Sequence, residues 1–362
     1  MISPRAALCG AALFAFTAPA AADAVRVATF NVELQRDGPG LLLRDLNRGN
    51  DPRIDAVIQV IAKVAPDILA IQGLDWDYDN AALNALCDQL AQSGALYPHR
   101  LSLQPNSGLA TDLDLDGDGR FGGAGDAQGF GQFTGQGGLA VLSRYPVLSD
   151  QVRNLSDVLW RDLPDALLPS HQDGSPFPSG AALDIQRLSS TGHWVVPIEI
   201  TENRTLHVLT FQAGPPVFDG PEDRNGRRNH DEILLWQSFL DGQFGPSPQR
   251  FVLAGGANLD PFDSDGRTVA IRTLLADQRL QDPTPVSRGA AMAPDQGHRT
   301  PNALDTVDWD GPGRLRVDYV LPSAGWTVVD AGVFWPAPDE DHVAAALTAS
   351  RHRLVWVDLA LD

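Results

Sequence analysis

The chain has 362 residues, 43% of them hydrophobic and 20% charged, with a formal net charge of −19. That length and apolar content can bury a large core, as one big domain or two small ones. The acidic balance argues against a nonspecific grip on nucleic acid, which is driven by Lys and Arg neutralising phosphates.

In chain order, residues 1–22 carry one early arginine, an apolar run too short to span a bilayer, and then small residues. This pattern reads as a secretory signal peptide cleaved after Ala22, and a buried N-terminal helix would need the polar face that the stretch lacks. No later segment approaches the roughly 20 apolar residues of a transmembrane helix, so the mature chain is expected in the periplasm or secreted. Cys9 leaves with the signal, and Cys87 stands alone on the apolar side of a predicted helix, as a buried inert thiol. No linker or repeat divides residues 23–362, which read as a single domain.

VRVATFNVE (25–33) reads as a strand, PRIDAVIQVIAKV (52–64) as an amphipathic helix, and DILAIQG (67–73) as a buried strand. The Cys87 helix follows, then a long Gly/Asp-rich loop (105–137) and the strand GGLAVLSRYPV (137–147). Residues 193–200 and 205–213 pattern as a hairpin, 229–242 as a helix, 251–260 as a strand and 267–277 as a further helix. The last three strand-like runs are 314–323, 326–335 and 352–361. Strands clustered between helices predict helices packed outside a pair of sheets, and periodicity alone goes no further.

Within the long loop, DLDGDGRF at 114–121 matches the first eight positions of an EF-hand-like calcium loop. Asp114, Asp116 and Asp118 supply the oxygen ligands and Gly119 the turn. Position 12 is Gly125 rather than a bidentate glutamate, although Asp126 follows. The readings are a structural Ca²⁺ site and a solvated acidic turn.

These segments, in order, carry a resemblance: ATFNVE at 28–33, PDILAIQG at 66–73, GGLAVLSRYPV at 137–147, LHVLTFQA at 206–213, LAGGANLDP at 253–261, and RVDYVLPS at 316–323 with SRHRLVWVDL at 350–359. Together they resemble the endonuclease/exonuclease/phosphatase superfamily. A closer likeness is to secreted bacterial members with the stretch PPVFDGPEDRNGRRNHDE, here at 215–232, and HWVVP just upstream. The resemblance implies an α/β fold, a four-layer α/β/β/α sandwich of the DNase I type. It also implies phosphoester hydrolysis assisted by a divalent cation, Mg²⁺ or Mn²⁺, with a histidine–aspartate system for proton transfer.

Four positions match the family's catalytic set: Asn31, Asn258, Asp318 and His352, with Asp318 orienting the histidine. Four depart from it. Gly73 stands where family members place a metal-binding glutamate, Gln212 where they place a catalytic histidine, Gly256 where they place an aspartate, and Arg351 where they place a metal-associated carboxylate. Glycines supply no ligand, a glutamine cannot accept and return a proton near neutral pH, and an arginine repels a divalent ion. Arg351 with His352 has two readings: recognition of a phosphate or carboxylate, or a cation that fills the space of a vanished ion and pairs with neighbouring acids.

The resemblance places the 215–232 stretch beside the same mouth. Arg224, Asn225, Arg228 and His230, with His193 at the start of the hairpin, are then candidate substrate contacts. The alternative is a self-satisfied charged loop with Asn229 capping the following helix. The functional expectation is an exported family member with little or no standard metal-dependent activity. Its alternative is a noncatalytic module for a phosphorylated or anionic small molecule or a protein partner.

Overall fold

The structure, a computed structural model, describes residues 24–361, and the signal segment expected at 1–22 lies outside them. The first strands and helices are β1 (Ala24–Asn31), α1 (Leu41–Arg48), α2 (Pro52–Val64), β2 (Ile68–Leu74), α3 (Ala81–Gln92), β3 (His99–Leu101) and β4 (Gly138–Ser143). The middle of the chain gives β5 (Arg153–Asn154), α4 (Gly180–Ile185), β6 (Gly192–Thr201), β7 (Arg204–Gln212), α5 (Arg224–Leu240), β8 (Phe251–Gly256), α6 (Val269–Leu275) and α7 (Arg288–Met292). The chain ends with β9 (Val307–Asp308), β10 (Arg314–Leu315), β11 (Asp318–Pro322), β12 (Val328–Val333), α8 (Val343–Ala349) and β13 (Val355–Ala360).

A six-stranded sheet runs β12-β13-β1-β2-β4-β3, and a five-stranded sheet runs β11-β8-β7-β6-β5. Side chains alternate across each strand, so every central strand serves two cores. Val25 and Val27 of β1, Ile68 and Ala70 of β2, Val196 and Ile198 of β6, and Val252 and Ala254 of β8 fill the layer between the sheets. Ala28, Phe30, Leu69 and Ile71 face the other way, against Val57, Ile61, Leu86 and Leu90 of the helices. Leu209, Phe211 and Leu253 pack in the same manner on Ile233, Trp236 and Ile271 of the opposite helical layer. Four layers, α/β/β/α, result. Cys87 is buried on α3, where desolvation pushes its thiol pKa up. Among the described residues no helix is long and apolar enough to cross a membrane.

Helices α1, α4, α7 and α8 lie outside the sequence expectation, and two expected elements differ in ways that bear on the site. The helix expected at 229–242 begins at Arg224, after Asp223 at a left-handed φ of 53°, so Asn229 is inside it and caps nothing. Its buried amide instead donates to the carbonyls of Gly214 (2.8 Å) and Ala257 (2.8 Å). The run 314–323 splits into β10 and β11 because the intervening amides leave the ladder. Arg316 N donates to Asp260 Oδ2 (3.0 Å) and Val317 N to Thr306 Oγ1 (3.0 Å).

Candidate functional site

The strand ends at one rim of the sandwich define a polar mouth. Asn31 on β1 pairs with Gln72 on β2, and in the facing sheet Gln212, Gly256 and Asp318 lie in consecutive register on β7, β8 and β11. His352 arrives just before β13, bridged to Val307. Its Nδ1 lies 2.8 Å from Asp318 Oδ2, which also accepts from Thr306 Oγ1 (3.0 Å). With Nδ1 protonated towards that carboxylate, Nε2 is left as an acceptor and faces Asn31 Nδ2 at 3.5 Å. Asp318 Oδ1, Gln212 Oε1 and Gln72 Nε2 are buried without a protein partner, which leaves hydrogen-bonding capacity at this end of the sandwich.

The departures at 73 and 256 have different physical bases. Gly73 adopts φ +72° at a register irregularity between Gln72 and Leu74. A β-carbon there would overlap Asn31 Oδ1 and stand 2.9 Å from the backbone nitrogen of Glu33, so this backbone excludes any side chain. At Gly256 a β-carbon would overlap only the end of the Gln212 side chain. The glutamine amide has taken the room of the missing carboxylate.

Glu33 is the acid that sequence reasoning missed. Its side chain is 7% exposed, and its Oε2 accepts from Arg351 N (2.8 Å) and Ser350 Oγ (3.1 Å). Oε1 takes the Arg351 guanidinium through Nε (2.9 Å) and also Nη2. Burial alone would raise its pKa, but the Arg351 hydrogen bonds and the nearby His352 overcome that and hold it at about 2. Glu33 lies inside the quoted segment ATFNVE, two residues after Asn31, so its proximity was available. Its turn inward rests on a left-handed φ of 47°, which no periodicity reports.

Few oxygen ligands are left free for a divalent cation at this mouth, namely Asp318 Oδ1 and Gln212 Oε1. Both Glu33 oxygens are engaged, Asp318 holds His352, position 73 is closed, and a guanidinium stands beside the remaining donors. Arg351 therefore turns to Glu33 while Asn31, Asp318 and His352 come together. Asn258, at φ 50°, donates its amide to Ala213 O (2.7 Å) next to Gln212.

The polar stretch is largely self-engaged. Arg228 is buried, and its guanidinium donates to the carbonyls of Gln128 (2.5 Å), Arg187 (2.8 Å), Leu188 (2.8 Å) and Ser189 (3.3 Å). His193, fully buried, sits between Ser189 Oγ (2.6 Å) and Glu232 O (2.9 Å), and burial lowers its pKa to about 3. His230 pairs with Asp231 (2.8 Å), Asn225 Nδ2 donates to Val217 O (2.8 Å), and Arg224 reaches Gln186 Oε1 (3.3 Å). In the long loop, Asp114, Asp116 and Asp118 each offer an oxygen, and the three lie within 4.8 Å of one another. No other such three-carboxylate group occurs among the described residues. Asp126 is spent on the amides of Leu115 (3.0 Å) and Gly123 (2.8 Å), and a β-carbon at Gly125 would overlap Asp116.

Two mixed sheets flanked by helices, with a histidine–aspartate pair and an asparagine at the strand ends, define a protein of the DNase I-like class. The chain belongs to the Endonuclease/Exonuclease/phosphatase family, whose model matches residues 28–352. Members of that family are typically divalent-cation dependent. Among solved structures, the chain is similar to an endonuclease/exonuclease/phosphatase from Beutenbergia cavernae, at 19% identity and TM-score 0.53, over 93% of this chain and 72% of that one. It is also similar to a family protein from Leptotrichia buccalis, at 16% identity and TM-score 0.51, over 92% and 99%. No curated protein matches the chain.

Proposed function

We propose that this is an exported family member whose mouth binds a phosphorylated or otherwise anionic small molecule through Asn31, Gln212 and His352, with little or no metal-dependent hydrolysis. The observation that carries this reading is the Glu33–Arg351 pair, which places a fixed cation and a saturated carboxylate beside the closed position 73. Asn31 Nδ2 can donate to a phosphate oxygen without a proton transfer, Gln212 Nε2 can do so by sharing or leaving its 3.4 Å contact with Ala213 O, and His352 donates from Nε2 only as the imidazolium. The test is hydrolysis of model phosphomonoesters and phosphodiesters by residues 23–362 with Mg²⁺, Mn²⁺ or EDTA. Turnover that rises with metal and vanishes in EDTA overturns the reading.

The intact His352–Asp318 pair favours a second reading, metal-independent phosphoester hydrolysis with His352 as proton carrier. Turnover that persists in EDTA and is lost in His352→Ala would select it.

We further propose that the loop at 114–118 takes Ca²⁺ as a structural ion, since three carboxylates at this separation suit its coordination sphere. Millimolar Ca²⁺ should raise Tm by a few degrees, and Asp116→Asn should abolish the rise. An equal rise in that variant removes the site.

A further inference from the structure

A cleft of about 280 Å³ opens beside the mouth, between the first turn of α2 and the end of α8, lined in part by Glu33, Gln35, Arg53, Thr348 and Arg351. We propose that this cleft is a second anion subsite, one that takes a terminal phosphate group. A ligand carrying one anionic group in the mouth and another in the cleft rests on the proposed function above; the cleft stands on its own residues.

Arg53 is exposed and spends one nitrogen, Nη2, on Glu33 O (2.7 Å); among the described residues no carboxylate pairs with it. Its Nε and Nη1 remain free. Arg351 has a side chain 61% exposed, gives Nε and Nη2 to Glu33, and keeps Nη1. The Glu33 carboxylate stands between them but is turned inward and saturated, so the free donors at the cleft are guanidinium nitrogens. Arg53 and Arg351 face one occupied carboxylate in the cleft lining, and Asp310 also acts on Arg351 from outside that lining, so what the cleft offers an anion is free guanidinium N–H groups in a chain of net charge −19. Gln35 and Thr348 add exposed neutral donors at its edge.

The geometry favours a phosphate over a carboxylate. A single guanidinium fork fills both oxygens of a carboxylate, whereas a terminal phosphate presents three oxygens and two negative charges to donors from two sides. Arg53 comes from a helix and Arg351 from the segment preceding β13, so the donors approach from different elements.

The test is calorimetric titration of residues 23–362 with inorganic phosphate, alongside Arg53→Gln and His352→Ala. Two phosphate sites are expected, one weakened about tenfold or more by Arg53→Gln and the other by His352→Ala. A single site lost in Arg53→Gln and untouched by His352→Ala upholds the cleft and overturns the mouth. A single site lost only in His352→Ala overturns the cleft and leaves the mouth standing. No binding overturns both, and acetate binding the cleft as tightly as phosphate overturns the ligand class. Thr348→Glu, which places a carboxylate in the same cleft from α8, should reproduce the loss without touching Arg53.

Discussion

At position 73 the side chain is missing because the backbone has no room for one. Gly73→Ala is expected to cost about 2–4 kcal/mol, from a strained φ together with overlap on Asn31. Gly256→Ala, which meets only the movable end of Gln212, should cost less than half of that; urea denaturation of the two variants measures the difference. Equal costs would mean that the two positions are the same kind of vacancy. The Glu33–Arg351 pair carries a pH signature. The folded pKa of Glu33 is depressed to about 2, below that of the unfolded chain, so its stabilisation is complete above about pH 5 and is lost as pH falls from about 4.5 to about 2. Glu33→Gln should therefore destabilise by about 2 kcal/mol at pH 7, discounted for the solvent around Arg351, and by little near pH 2. Of this site, Asn31, Asp318 and His352 were legible because they sit at strand ends inside motif segments. Glu33 was not, since its partner lies 318 residues away and no local pattern announces the pairing.

Helix α5 illustrates what composition hides at the level of an element. The sequence RNGRRN reads as loop, yet it forms the first turns of the helix, where Arg228 and Asn229 are buried and bonded to backbone carbonyls of surrounding segments. Side chains that look solvated by type are here the fasteners between α5, residues 186–190 and the long loop. Arg228→Met should cost about 3–5 kcal/mol, because it strips several carbonyls of donors and leaves the buried Glu232 without its nearby cation. The same variant should be nicked faster by protease within 105–137. Unchanged stability would show that these carbonyls find other donors. The run 314–323 shows the opposite case, a strand-like stretch that the structure divides into β10 and β11, with Arg316 N given to Asp260 and Val317 N to Thr306.

Over the whole molecule, short apolar runs read as strands at β1, β2, β7 and β8, with 67–73 as a buried one, and the helices between them foretold the outer layers. Strand order was beyond periodicity, since nothing in residues 352–361 says which edge they will join. In the structure β13 sits between β12 and β1, with six residues of β1 in register from Ala24↔Ala360 to Thr29↔Val355. The first sheet strand thus waits for the last, and the contact closes a loop of nearly the full chain, the kind of topology that slows folding. During synthesis, β1 has only β2 to pair with until residues near 355 emerge, so an unfinished chain keeps an open strand edge. A chain ending before Val355 should accordingly show no cooperative thermal transition by circular dichroism. The late partner gives this molecule a built-in delay, in which the first sheet stays incomplete until residues 355–360 are made.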